Sequence, residues 1–219
     1  MTQLGTVVKF ALIGGIVEVI NYWSAQKVIP VVTIHDAGQA VKLARTLIEA
    51  GLSKIEITLR TQVALQAITQ IAIEVPEASI GAGTVLNVSM AEEALHAGAK
   101  FLVSPGTTPA LLKYLKASGV PFLPGCSTVS EAMYLIENNV NIAKFFPAED
   151  SGGLNYLKSI APVLSAIKFC PTGGVGIGNY KNYLDLPNVV CVGGSWIAPS
   201  AEITVGNWEL IRANALAAL

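Results

Sequence analysis

Hydrophobic residues along this chain fall into short unbroken runs that alternate with longer stretches in which apolar positions recur every three or four residues. The runs Val28–Ile34, Lys54–Leu59, Ser79–Ala82, Phe101–Ser104, Phe122–Pro124, Ile142–Phe146, Phe169–Pro171 and Val189–Val192 predict eight short, buried strands. Between them, helical spacing predicts Ala37–Ala50, Gln62–Glu74, Met90–Ala97, Pro109–Ala117, Val129–Asn138, Leu154–Ile160 and Tyr180–Leu184, with Trp208–Ala218 closing the chain. Strand and helix in regular alternation are the signature of parallel βα units. Eight such units fit one (β/α)8 TIM barrel, which begins at roughly 200 residues. No linker or low-complexity stretch divides residues 1–219, which are expected to form a single domain. Residues 1–27 precede the first strand and read as an additional N-terminal helical segment, with an amphipathic helix at Val7–Ile20.

A doubly wound open sheet would alternate in the same way, but it places a glycine-rich nucleotide loop after its first strand. Here His35-Asp36 follows that strand. The paired glycines come late, Gly173-Gly174 after the seventh run and Gly193-Gly194 after the eighth. Those are the loops with which a βα barrel grips phosphate, so their placement favours the barrel.

Composition narrows the function classes. Hydrophobic residues make up 52% of the 219 positions and charged ones 13%, which predicts a large core and a further surface hidden between subunits. A net charge of −1 without a block of Lys or Arg leaves no electrostatic footprint for nucleic acid or an anionic membrane. The segment Val7–Ile20 carries Lys9 and Glu18 and falls short of the roughly 20 apolar residues that a membrane span needs. No small-x-small cleavage site clearly follows it, and the expected location is the cytoplasm. Cys126, Cys170 and Cys191 are odd in number and sit in apolar or glycine-rich strands, which reads as buried thiols of a reducing compartment and not as a zinc site.

The candidate chemistry gathers at the C-terminal ends of the predicted strands, where a barrel converges its side chains. Lys144 ends the apolar run Val140–Ala143 and is followed by Phe145, Phe146 and Pro147, surroundings in which desolvation disfavours an ammonium. A neutral amine there can attack a carbonyl; a lysine that snorkels to water is the plain alternative. On the second run, alternation with period two sets Glu56, Thr58 and Arg60 on one side, with Glu56 in the barrel mouth. A glutamate inside a barrel demands a partner such as Lys144 or Arg60, and a purely structural ion pair is the plain alternative. Arg60 offers a donor fork for a substrate carboxylate. Thr84 in the Gly81–Val85 turn and Pro105 in the Ser104–Gly106 turn sit at further strand ends, where either turn could serve only as a helix cap. Thr172 with Gly173-Gly174 and Gly193-Gly194 with Ser195 resemble two halves of a phosphate cradle. His35 and His96 receive no catalytic role.

Taken in order, Ile55-Glu-Ile-Thr-Leu-Arg-Thr61, Gly81-Ala-Gly-Thr-Val85, Ser104-Pro-Gly106, Pro124-Gly-Cys-Ser-Thr128, Lys144-Phe-Phe-Pro-Ala-Glu149, Phe169-Cys-Pro-Thr-Gly-Gly174 and Gly193-Gly-Ser-Trp196 resemble the class I 2-keto-3-deoxy-6-phosphogluconate (KDPG) aldolases, the KDPG/KHG aldolase family. The resemblance runs in one register from about Ile29 to Ala198. It implies that Lys144 forms the Schiff base and Glu56 shuttles protons. Arg60 and Thr84 would lie near the pyruvate carboxylate, Pro105 and Phe146 would line the pocket, and Thr172, Gly173, Gly174, Gly193, Gly194 and Ser195 would hold the substrate phosphate. It further implies a homotrimer that needs no metal or other cofactor. Its substrate would be a phosphorylated 2-keto sugar acid, cleaved reversibly to pyruvate and glyceraldehyde 3-phosphate in Entner–Doudoroff carbohydrate catabolism. Rival readings keep the lysine but act on the galactonate epimer or mainly on 4-hydroxy-2-oxoglutarate, or keep the barrel as a non-catalytic sugar-phosphate binder.

Overall fold

The computed structural model describes residues 16–219. The amphipathic helix expected over Val7–Ile20 therefore lies mostly outside the described residues, as do positions 1–15 of the expected N-terminal segment. Within them, α1 (Ile16–Ser24) precedes β1 (Val28–Val32), and strands and helices then alternate through α2 (Ala40–Glu49), β2 (Lys54–Thr58), α3 (Ala64–Glu74), β3 (Ser79–Gly83), α4 (Val88–His96), β4 (Leu102–Val103), α5 (Pro109–Ala117) and β5 (Phe122–Leu123). The second part holds β6 (Gly125–Cys126), α6 (Val129–Glu137), β7 (Ile142–Phe145), α7 (Gly153–Ile160), β8 (Lys168–Pro171), α8 (Tyr180–Leu184), β9 (Val192–Gly194), α9 (Ser200–Val205) and α10 (Trp208–Ala217).

The strands form a curled parallel sheet of order β5-β4-β3-β2-β1-β9 and a second, three-stranded one of order β6-β7-β8. A single parallel bridge from Phe169 to Val189 connects β8 with the chain leading into β9, and another joins Thr172, just after β8, to Gly193 within β9. Most strands read as unbroken apolar runs because a parallel sheet is covered on both faces, and every residue of β1 and β2 is buried.

Polar side chains set where several of the helices begin. The Asp36 carboxylate accepts from the Gly38 N–H, Asn87 caps α4, Thr108 caps α5 with Pro109 at its first turn, and Thr128 and Glu131 form a reciprocal capping box on α6. Each cap stands just after a strand, so helix initiation and the candidate site share the same edge of the sheets.

Burial divides into an outer layer between sheets and helices and an inner cluster. The inner one gathers Ile29, Phe101, Val103, Leu123, Ile142, Cys170, Cys191 and Trp23. Both sheets contribute to it. Trp23 of α1 seals it, with its ring edge-on to Phe101 at 5.4 Å between centroids, while Lys54 lays its ammonium over the Tyr22 ring at 4.0 Å. Gly81 makes room for the Phe101 ring, which would lie 2.2 Å from a Cβ at that position.

Three differences from the sequence pattern have physical causes. The fifth run, Phe122–Pro124, stops as a strand at Leu123 and a second short strand, β6, follows it, because Pro124 between them has no N–H for the ladder. The eighth run pairs later than its hydrophobicity indicates: Val192, Gly193 and Gly194 pair with Val28, Ile29 and Pro30, and Val189 only bridges. Helix α9 has too short an apolar stripe to register as periodic, and it stops at Gly206 in the left-handed region (φ 69°).

Candidate active site

Two charged side chains meet across the interior from different sheets. Glu56 rises from the middle of β2 and Lys144 from β7, and the Lys144 Nζ donates to Glu56 Oε1 at 3.2 Å. Both residues are only 3% exposed. Sequence alternation leaves Glu56 a choice between Lys144 and Arg60, and the structure gives it Lys144. Arg60 is exposed, and its Nε donates to Thr84 Oγ1 at 3.2 Å.

The space around the pair is made by glycine. A Cβ on Gly83 would stand 2.0 Å from Glu56 Oε1, so the carboxylate occupies the room that a side chain on β3 would take. Gly125, in register with Lys144, lets the Pro105 backbone pass, since a Cβ there would lie 2.1 Å from the Pro105 carbonyl carbon. The Phe146 ring is 5.3 Å from the ammonium and forms an aromatic wall beside it. Nothing in the spacing of apolar residues indicates these clearances; a glycine inside a strand pattern is the signal that could have.

Thr84 follows β3 with φ 59°, a conformation that a β-branched side chain rarely adopts. This strain carries its hydroxyl to Arg60, so two residues from adjacent strand ends form one polar unit. Deeper in the same region, Thr58 donates to Val32 O at 3.1 Å and its hydroxyl lies 2.8 Å from that of Thr33. Cys126, in register with Phe145, is a protonated apolar wall: burial, and then the charge of Glu131, pushes its thiol up to about 12.

The late glycines differ from one another. Gly173 and Gly174 form a loop with φ of 98° and 76°, conformations glycine alone adopts readily. Their N–H groups make no hydrogen bond among the described residues. Gly193 and Gly194 do not follow the last strand, as its hydrophobic run implies, but lie within β9. They are glycine because neighbours fill the space: Thr172 Oγ1 would stand 2.3 Å from a Cβ on Gly193, and the Trp196 ring 1.9 Å from one on Gly194. Ser195 is exposed immediately beyond, and the Thr172–Gly193 bridge holds the two glycine pairs side by side. Glu56 and Gly193 sit in mid-strand, the other expected site residues lie near the C-terminal end of a strand or in the loop that leaves it, and His96 sits at a helix end with its Nδ1 at 2.9 Å from Glu92 O.

Among the described residues, no three His, Cys, Asp or Glu side chains are grouped to hold a metal ion, and no helix is long and apolar enough to cross a membrane. The arrangement offers an amine and a carboxylate in hydrogen-bond contact, an exposed guanidinium tied to Thr84 at the end of the next strand, and the unpartnered Gly173 and Gly174 amides.

A family model described as KDPG and KHG aldolase matches residues 19–214. The KHG/KDPG aldolase of Escherichia coli is 45% identical over 184 residues, covering 84% of this chain and 86% of that protein. The 2-dehydro-3-deoxy-phosphogluconate aldolase of Pseudoalteromonas atlantica is 47% identical over 191 residues, 87% of this chain and 89% of its own. In structure, the KDPG aldolase of Legionella pneumophila, solved with pyruvate captured as a covalent carbinolamine, superposes with a TM-score of 0.88 at 43% identity, covering 91% of this chain and 97% of that one.

Proposed function

The chain belongs to the KDPG and KHG aldolase family, and from that premise we propose that it is a Schiff-base aldolase cleaving 2-keto-3-deoxy-6-phosphogluconate reversibly to pyruvate and glyceraldehyde 3-phosphate. The observation that carries the reading is the buried contact of 3.2 Å between Lys144 Nζ and Glu56 Oε1. In resting form the two are an ion pair. Passing one proton from the ammonium to the carboxylate leaves a neutral amine and a protonated acid side by side, the two species that carbonyl addition requires. The Lys144 nitrogen then bonds to the C2 carbon of the substrate, and Glu56 supplies the proton with which the C2 oxygen leaves as water. The resulting iminium draws the electrons of the C3–C4 bond as it breaks, while Glu56 takes the C4 hydroxyl proton and the aldehyde departs. Returning that proton to the enamine carbon, followed by hydrolysis of the iminium, frees pyruvate and restores Lys144.

Arg60, tied to Thr84, would hold the substrate carboxylate, with Pro105 and Phe146 lining the pocket. Thr172, Gly173, Gly174, Gly193, Gly194 and Ser195 would hold the phosphate. That grip lies far from the reacting bond, so its binding energy can position the substrate. The chemistry is covalent through Lys144 and calls for no metal. The Escherichia coli relative, named for both KHG and KDPG, favours 4-hydroxy-2-oxoglutarate as a second substrate.

The two sheets, in the same proposal, are arcs of one eight-stranded barrel. Support comes from β5 and β6 adjoining across Pro124, from the Phe169–Val189 and Thr172–Gly193 bridges at the other seam, and from Lys144 and Glu56 meeting between the arcs. A homotrimer, testable by sedimentation, and a reducing cytoplasmic setting for the three free cysteines complete the proposal.

Borohydride reduction in the presence of pyruvate should fix the adduct on Lys144, mapped by mass spectrometry. Labelling of any other lysine would refute the assignment.

A further inference from the structure

Behind the loop of unpartnered amides lies a carboxylate that the reaction does not use. Glu149 stands five residues after Lys144 and is bound to that loop in three ways. Its backbone N–H donates to Gly173 O at 3.1 Å. Its stem fills the face of Gly174, where an added Cβ would meet Glu149 Cγ at 2.4 Å. Its Oε1 accepts from Asn179 Nδ2 at 3.3 Å, and the same Nδ2 lies 3.2 Å from Gly174 O while Asn179 Oδ1 accepts from the Gly176 N–H at 2.8 Å. Tyr183, fully buried on α8, donates its hydroxyl to the same Oε1.

From this closed ring we propose that Glu149 is a positioning residue for the phosphate end of the substrate: with Tyr183 and Asn179 it holds the Gly173–Gly176 loop in the one shape that presents the Gly173 and Gly174 amides to an anion. The inference rests on the phosphate role proposed above for that loop.

A carboxylate close to a phosphate would ordinarily repel it. Here two donors converge on Oε1, and Tyr183 remains a donor because burial, and then the Glu149 charge, raises its hydroxyl far above the working range. The carboxylate is therefore committed to the scaffold. With the Gly173 carbonyl held by Glu149 N–H and the Gly174 carbonyl by Asn179, the loop's acceptors are taken, whereas its Gly173 and Gly174 donors stay unpaired among the described residues. Such a loop selects an anion by geometry prepared before binding, so the ordering cost is not met at the moment of binding. Residues in left-handed conformations would otherwise sample many shapes.

The test compares kinetics on the phosphorylated substrate with kinetics on 4-hydroxy-2-oxoglutarate, which lacks the phosphate. In Glu149→Ala, KM for the phosphorylated substrate should rise about tenfold with kcat little changed, and competitive inhibition by inorganic phosphate should weaken by a similar factor. Activity on the unphosphorylated acid should be unaltered. Glu149→Gln, which keeps an acceptor oxygen, should recover most of the loss, and Asn179→Ala should reproduce it from the other side of the ring. Equal losses on both substrates, or no loss on either, would overturn the role of Glu149. If Glu149→Ala does not fold, Asn179→Ala decides the matter by the same two-substrate comparison, since its side chain is only partly buried. A wild-type enzyme that treats both substrates alike and ignores inorganic phosphate would instead overturn the phosphate role of the loop itself.

Discussion

At the scale of single residues, the site depends on one contact and on the absence of one methyl group. In the proposed mechanism Glu56 serves each proton transfer, and what supports that role is that Lys144 Nζ is 3.2 Å away and both groups are shielded from water. Glu56→Gln should retain pyruvate trapping by borohydride while turnover falls about 10²–10⁴-fold, the usual contribution of a positioned acid–base group, measured as kcat for KDPG cleavage. Gly83→Ala makes the same point by sterics. Its new Cβ would fall 2.0 Å from Glu56 Oε1 and displace the carboxylate, so kcat should drop about 10²-fold with the fold retained by circular dichroism. The candidates Lys144, Glu56 and Arg60 are legible in the sequence because charged side chains in apolar strand ends are costly and therefore conspicuous. Gly83 is not, since a glycine gives no indication of which distant side chain uses its space.

At the scale of elements, side-chain caps fix where some of the helices begin, among them α4, α5 and α6. Thr128 and Glu131 bound α6, and Glu131 accepts from the backbone and hydroxyl groups of both Ser127 and Thr128. Burial alone would raise the Glu131 carboxyl, but these hydrogen bonds together lower it below the ordinary glutamate range. A carboxylate lowered on folding stabilises the protein above its unfolded pKa, and that contribution disappears as pH falls through the folded value. Glu131→Gln should therefore melt below the wild type at about pH 7, and the gap should close as pH falls below the ordinary glutamate range. Thr128→Ala, which removes the hydroxyl cap, should cost about 1 kcal/mol in urea unfolding. What the sequence misplaces at this scale is β9 and α9. Hydrophobicity puts the last strand at Val189–Val192, whereas pairing with β1 begins at Val192, because the partner's register decides which residues of an apolar run join the ladder.

At the scale of the whole molecule, two sheets share one interior, closed at one end by Trp23 and holding the Lys144–Glu56 pair. Trp23 is fully buried against Phe101, so Trp23→Ala should cost about 3–5 kcal/mol in equilibrium unfolding, while borohydride trapping at Lys144 should survive below the transition. Alternating runs and helical stripes determined the parallel α/β class and the segments near which the candidate residues lie, because periodicity and burial cost act locally along the chain. Only the tertiary structure decided that Glu56 faces Lys144 and not Arg60, that Arg60 turns to Thr84, that Gly193 yields its space to Thr172, and that Glu149 turns to Tyr183. Each of those choices joins residues from different elements, and contact between them depends on register and on the curl of the sheets, which no local pattern encodes.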